Sequence, residues 1–510
     1  MPRHSVRSLR HENRRASLWL GAALLLAAAV PARAGQALDA AITTEQARLK
    51  APAVSVAVME KGKIVYARTF GSADVENGVA ATPDTRFRTA SVAKTMTATA
   101  VLQLHERGVL DLDAPIQTYC PAFPQKPWPV TARQLLGHLA GVRHYTKPGE
   151  SSGTQHFFTV AESLKLFAND PLLFEPGTKY SYSTYGFSVL GCAIEGASKM
   201  SYGDYMRTRV FEPAGMLHTS LDDVYLVIPH RARGYFLLDQ ASFDQLPAAG
   251  KAIASVGNVY NAPLHDTSMK MPGGGLLSTP TDLMMFANAL FDGTLLKPET
   301  LTLMWTSQKT ADGKPTEYGY GWGIGSNPGR QIVSHSGNQA GASSLFIVDV
   351  TNRLALAVMT NLEDADLGEV RKILTGPLSP TGKYTTPPMP ATAPAAPGPL
   401  RKDEYRVQLV FGANRYAGRM TLAIDGQTVG GSMLIEQPAA IDGRVAGTLT
   451  GQKLELRYPY TMRADGCVGE VTITATLSPS RESADGGALV TGPCVPQPMS
   501  GSFKLSKQQP

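Results

Sequence analysis

Apolar and polar positions change their period along the chain. Between Gly35 and Lys50 the apolar positions recur at helical spacing, which predicts a helix. Val54, Val56 and Val58 then alternate, Glu60-Lys61-Gly62-Lys63 makes a turn, and Ile64-Val65-Tyr66 resumes. That pattern predicts a β-hairpin. A helical run with apolar Val92, Met96, Val101 and Leu104 opens at Ser91 and stops at Gly108, which puts Ser91 at or near the helix N-cap. Tyr182 stands on a turn before another helical pattern through Leu190, Ala193 and Ile194. Strand patterns return at Leu345–Asp349 and Leu354–Met359, joined by Thr351-Asn352-Arg353, and a helix is expected from Asp364 to Leu374. Strands at both ends with helices between them predict an α+β domain, built on one mixed sheet whose ends come together.

Residues 379–399 hold seven prolines. Such a stretch builds no core and reads as a linker. Beyond it, Arg406–Val410, Met420–Ile424 and Lys453–Arg457 are short alternating runs with turns expected at Asp425-Gly426 and Asp442-Gly443. They predict a small all-β barrel or sandwich over 401–510. The expected divisions are therefore 1–34, 35–378, 379–400 and 401–510.

Charge changes the picture at the N-terminus. The chain of 510 residues has a net charge of +6. Residues 1–34 carry six arginines and the single acid Glu12, so they hold +5 of it and leave about +1 for the rest. A nearly neutral body offers no footprint for nucleic acid. The segment has a basic n-region, then 13 apolar residues from Leu18 to Val30, then Ala32-Arg33-Ala34. It reads as a cleavable signal peptide, with a membrane anchor as the lesser alternative, and a periplasmic or secreted product is expected. Arg14-Arg15 faintly resembles a twin-arginine signal. Cys467 is expected to pair with Cys494, whereas Cys120 and Cys192 stay open between a disulfide and two buried thiols. No motif signals a metal or cofactor.

Three short motifs carry chemistry. In Ser91-Val92-Ala93-Lys94 the two functional groups share a helix face, so a lysine amine of lowered pKa could take the serine proton. Tyr182 could carry a proton beside them if nearby positive charge lowered its pKa. His335-Ser336-Gly337, followed by Asn338, could bind substrate, with Gly337 letting a ligand near the backbone and the Asn338 N–H as an oxyanion donor.

These motifs, in this order, resemble the serine β-lactamase and penicillin-binding-protein superfamily, and within it the class C β-lactamase-related branch. That branch also holds D-alanyl-D-alanine carboxypeptidases, D-aminopeptidases and esterases. The likeness runs from about residue 38 to 376. It includes Arg133–His138, Phe211–Met216, Gly273–Thr279 with Asp282-Leu283, and Tyr318–Gly323, all read as scaffold, His138 and Trp322 among them. Two positions depart from the class C pattern. Tyr182-Ser183-Thr184 replaces Tyr-x-Asn, and His335-Ser336-Gly337 replaces Lys-Thr-Gly. Thr184 lacks an amide N–H pair and a neutral histidine lacks lysine's fixed charge, so efficient β-lactam hydrolysis is disfavoured.

The resemblance implies a β-lactamase/transpeptidase-like sheet with helices packed on it. It implies an exported serine hydrolase working through a Ser91 acyl-enzyme on an amide, ester or D-amino-acid peptide, with no cofactor. Lys94 and Tyr182 would share the base role, with His335 helping Tyr182, and the Ser91 and Asn338 N–H groups would hold the oxyanion. The alternative is a penicillin-binding or scaffold protein of the same fold with little turnover. A small molecule or short peptide is the expected partner. The C-terminal module would be accessory or, as in some D-aminopeptidases, would narrow access to the site.

Overall fold

The computed structural model describes residues 35–147, 150–151, 153–327, 329–375, 403–412, 414–437, 441–461, 468–491 and 497–507. The expected signal peptide, the proline-rich linker and the Cys467–Cys494 pair lie outside the described residues. The chain divides into two units, 1–391 and 392–510.

The first unit begins with a helix, α1, over 35–49. The hairpin follows as β1 (Ala53–Glu60) and β2 (Lys63–Asp74), with β3 (Val79–Ala80) at the edge. Late in the unit come β4 (Gly323–Asn327), β5 (Arg330–Gln339), β6 (Ala342–Asp349) and β7 (Leu354–Thr360). They form one seven-stranded sheet in the order β3-β2-β1-β7-β6-β5-β4. The two ends of the unit meet where Val54 faces Thr360. Every pairing is antiparallel, which corrects the expected mixed sheet. A parallel pair needs a crossover, and these strands join by short turns or by one return of the whole chain.

β1 is buried on both faces, and its alternation assigns each residue to a layer. Val54, Val56 and Val58 pack with Leu38, Ile42 and Leu49 of α1, and with Val370 and Leu374 of the closing helix α4 (Gly368–Thr375). Ala53, Ala57 and Met59 face the larger core on the other side. At the centre of that core lies α2 (Ala93–Glu106), buried from Ala93 through Leu102. This stretch is buried on every side despite Thr95, Thr97 and Thr99, so α2 holds Lys94 away from water. Against it packs α3 (Thr184–Ser198), capped by Ser183, whose Oγ accepts the Gly186 N–H at 3.0 Å.

α4 starts four residues later than the pattern suggested. Asp364 has φ 54°, its N–H goes to the Asn338 side chain at 2.9 Å, and the Ala365 N–H goes to Ser343 Oγ at 3.0 Å. Those bonds tie residues 364–365 to β5 and β6 instead of to a helical turn.

The second unit is a closed barrel of eight antiparallel strands. They are β8 (Asp403–Phe411), β9 (Asn414–Asp425), β10 (Thr428–Gln437), β11 (Ile441–Thr450), β12 (Lys453–Thr461), β13 (Val468–Leu477), β14 (Ser483–Thr491) and β15 (Met499–Lys507). β8 pairs with β15 and leaves no edge. Alternate residues such as Tyr405, Val407 and Leu409 fill the interior. Asp425-Gly426 opens a tight turn, with Asp425 facing Thr428 and Gly426 at φ 56°. Asp442-Gly443 makes no turn. Both lie in the β11 ladder opposite Leu434 and Met433, because pairing with β10 already begins at Ile441. Among the described residues no helix is long and apolar enough to cross a membrane.

Cys120 and Cys192 form a disulfide, with Cα atoms 5.3 Å apart. One turn further along α3, a Cβ on Gly196 would overlap the Tyr119 carbonyl. The segment before the helical body is thus pressed onto α3 at two successive turns. Gly196→Ala is expected to lower the unfolding free energy by about 1–3 kcal/mol, read as a reduced midpoint in urea.

Candidate active site

Ser91 sits in a 3₁₀ turn, Ala90–Val92, that feeds directly into α2. It is not the N-cap, and no side chain caps either helix start. The preceding residue, Ala90, is buried with φ 46°. An alanine held left-handed stores about 1–3 kcal/mol and persists only where its surroundings force it. Here the Thr89 N–H donates to the Leu276 carbonyl at 2.9 Å, and Ser344 Oγ donates to the Thr89 carbonyl at 2.6 Å. The turn is clamped from both sides, and Ser91 is left partly exposed.

Lys94 follows one turn later and is 0% exposed. Its Nζ lies 3.1 Å from Ser91 Oγ, 3.1 Å from Thr184 Oγ1 and 2.7 Å from the Gly273 carbonyl. Burial pushes the amine well below its ordinary pKa, and the charge of Lys270 adds to the effect. A neutral amine has two N–H groups and one lone pair. The Gly273 carbonyl can only accept, so it takes one N–H. Thr184 Oγ1 takes the second, which leaves the lone pair for the Ser91 hydroxyl. Thr184 thereby fills the place of the missing asparagine as an acceptor for Lys94.

Tyr182 precedes the α3 cap, with its ring centroid 4.9 Å from Lys94 Nζ. Its pKa is raised by burial, with contacts to the Ser91 and Thr184 hydroxyls opposing. The expected lowering by positive charge does not occur, because removal of the phenol from water outweighs the hydroxyl contacts. Tyr182 therefore stands as a phenol. Two histidines support it. His138 lies tilted against its ring, with centroids 4.3 Å apart, and accepts the Ser183 N–H at 3.2 Å. His144 stands edge-on at 5.6 Å and accepts the Thr184 N–H at 3.2 Å. Burial takes His138 well below its usual value and His144 down to about 4, so both are neutral acceptors at Nδ1.

His335, Gly337 and Gln339 point inward from β5, and Ser336 and Asn338 point out. His335 Nδ1 donates to the Ser336 carbonyl at 2.6 Å, and Nε2 accepts the Tyr318 hydroxyl at 2.9 Å. Burial, with repulsion from Lys94, takes its pKa to about 3. Both ring nitrogens are thus committed, and the ring centroid stays 6.2 Å from that of Tyr182. Any influence of His335 on Tyr182 passes through Tyr318 and the packed rings instead of a direct hydrogen bond. Gly337 lies against the nucleophile turn, since a Cβ there would come within 2.5 Å of both Ser344 Oγ and the Thr89 carbonyl. The Asn338 side chain bonds Asp364 on the far face, so only its backbone borders this side. β4 pairs with β5 only as far as Ser334, so among the described residues no strand covers that edge beside residues 335–339.

Sequence reasoning gathered Ser91, Lys94, Tyr182, Thr184, His335 and Gly337, and the structure places them together. It missed His144, Tyr318, the Gly273 carbonyl and Lys270, and gave His138 to the scaffold alone. Lys270 is a second buried amine, with its pKa taken down to about 7 by burial and by Arg88. Its only sequence signal was its place three residues before Gly273-Gly274-Gly275.

The family model described as Beta-lactamase matches residues 38–375. The human serine beta-lactamase-like protein LACTB, mitochondrial, is 32% identical over 58% of this chain and 69% of its own length. Penicillin-binding protein 4* of Bacillus subtilis is 29% identical over 61% of this chain and 68% of its own length. Among solved structures, D-amino acid amidase from Ochrobactrum anthropi SV3 is 26% identical, with a TM-score of 0.57 over 67% of this chain and 98% of its own.

Gly337→Ala is expected to push β5 off the Thr89–Ser91 turn and to cut the rate of Ser91 acylation by at least about tenfold, a shift of ~1.4 kcal/mol. Timed intact-mass measurement with an acylating reagent checks it; an unchanged rate would contradict the clamp.

Proposed function

We propose a serine acyl-enzyme mechanism for this chain, which belongs to the beta-lactamase family. The observation that carries the reading is the 3.1 Å contact between Ser91 Oγ and the amine of a fully buried Lys94. The Lys94 lone pair takes the Ser91 proton as Oγ attacks the substrate carbonyl. The Ser91 and Asn338 backbone N–H groups hold the oxyanion. Tyr182, a phenol beside Ser91, gives its proton to the leaving group and regains one from the Lys94 ammonium. Water then enters and attacks the acyl carbon while Lys94 takes its proton, and the pair returns that proton to Ser91 Oγ as the Oγ–acyl bond breaks and the acid leaves. His335 acts through Tyr318 as a positioning residue.

The substrate class is an amide, an ester or a D-amino-acid peptide. Support comes from the likeness to D-amino acid amidase and from the neutral His335 in place of a lysine. Export to the periplasm or outside the cell belongs to the same reading and rests on the pattern of residues 1–34. A penicillin-binding protein with little turnover is the second reading, favoured by the likeness to penicillin-binding protein 4*.

The test compares the mature protein with Ser91→Ala and Lys94→Met on benzylpenicillin, a neutral ester and a D-amino-acid amide. Both variants are expected to fold and to lose at least about 10³-fold in acylation. Turnover of the amide or ester supports the hydrolase. A lasting penicillin adduct without turnover supports the second reading. Activity retained in Ser91→Ala overturns both.

A further inference from the structure

Behind β5, on the face that carries the Asn338 side chain, lies a cavity of about 480 Å³. Small-molecule sites span roughly 300–1,000 Å³, so the space suits a compact ligand. Arg48 and Leu49 reach it from the end of α1, and residues 362–366 from the segment between β7 and α4. Phe236 and Leu237 reach it from the hairpin of Tyr235–Leu237 with Val259–Asn261. The walls are tied together, since the Tyr235 N–H donates to the Asn361 carbonyl and the Glu363 N–H to the Tyr235 carbonyl, both at 2.8 Å. Leu49 and Leu362 are buried and Phe236 is half-buried, which makes the floor apolar.

The rim has the opposite character. Four carboxylates, Asp239, Glu363, Asp364 and Asp366, line the cavity against one cation, Arg48. Arg48 is already engaged, because its guanidinium donates to Glu45 at 2.6 and 2.8 Å. The carboxylates are bonded to neutral donors. Asp239 accepts the Ser242 N–H at 2.7 Å, Asp366 the Gly368 N–H at 2.9 Å, Glu363 the Gly341 N–H at 3.2 Å, and Asp364 the Asn338 side chain. A carboxylate has about four acceptor sites, so capacity remains on each. Removal from water raises the pKa of the half-buried Glu363, and the charge of Asp364 adds to this, opposed by the Gly341 N–H, Lys270 and Arg88. A neutral molecule would leave this negative rim unmet, and a bare metal ion would leave the apolar floor unused. The complement of both is an ammonium carried on an apolar body.

We propose that this cavity binds a small organic ammonium, with its apolar body on Leu49, Phe236 and Leu362 and its charged head against Glu363, Asp364 and Asp366. The site is separate from the acyl-enzyme reading of Ser91 and stands or falls without it. Its carboxylates also anchor β5. Asp364 bonds the Asn338 side chain in both directions, its own N–H donating to Asn338 Oδ1 at 2.9 Å, and Glu363 holds Gly341 in the β5–β6 turn. A bound cation therefore bears on the strand whose other face sets Gly337 against the nucleophile turn.

Calorimetric titration of the full-length protein with phenethylammonium tests the site without requiring turnover. As controls, 2-phenylethanol has the body without the charge, and methylammonium has the charge without the body. Phenethylammonium is expected to bind at least about tenfold more tightly than either, ~1.4 kcal/mol. Glu363→Gln combined with Asp366→Asn should abolish that advantage, because both amides keep an oxygen for the Gly341 and Gly368 N–H groups but lose the charge. No binding, equal affinity for either control, or an advantage that survives the double variant overturns the site. Hydrogen exchange read by mass spectrometry locates the ligand. Slower exchange across 338–341 and 362–366 with an unchanged barrel supports the assignment, and protection confined to other segments overturns it.

Discussion

The interior of the first unit is organised around one unfavourable act, the burial of a lysine amine. Lys94 lies on a helix that is buried on every side, where a charged ammonium would lose its hydration without gaining a carboxylate. Burial favours the neutral amine, whose two N–H groups would have fixed acceptors, Gly273 from one turn and Thr184 from the start of α3. The remaining lone pair has one place to go, the hydroxyl of Ser91. Availability of the free base and its direction thus follow from the same burial.

The surrounding architecture serves that geometry. The Ser91 turn is held in a left-handed conformation at Ala90 by bonds from β6 and from Leu276, elements more than a hundred residues away in sequence. β5 brings Gly337 against the turn and leaves its edge free of a strand partner beside the site. The layer of His138, His144, Tyr182 and Tyr318 closes the other side, and its histidines act as neutral acceptors for backbone N–H groups at the start of α3. Opposition to charge is the common theme, since burial lowers the pKa of these histidines and of Lys94 and takes that of Lys270 to about 7.

Features that depend on local pattern were legible in the sequence. The alternation of Val54, Val56 and Val58 located a hairpin whose two faces meet separate cores. Serine and lysine three residues apart identified the reacting pair, because helical spacing alone brings them together. Features set by distant contacts were not legible. Ser91 was expected at or near the N-cap and lies one residue before it, but the 3₁₀ turn that holds it is shaped by residues 276 and 344 and left no local pattern. The start of α4 is decided by Asn338 and Ser343, and closure of the barrel by pairing such as Tyr405 with Lys507. Lys270 carried no signal beyond its place three residues before Gly273-Gly274-Gly275, because its burial is set by segments distant in sequence.

The measurement that tests the account most directly is the protonation state of Lys94 in the folded protein. ¹⁵N NMR of the lysine Nζ signals, assigned with Lys94→Met, would follow that amine across pH. The account predicts a neutral amine at pH 7, in hydrogen-exchange contact with Ser91 and becoming charged only as the pH falls further. An ammonium that keeps its proton until above pH 9 would contradict it, because Lys94 could then not receive the Ser91 proton.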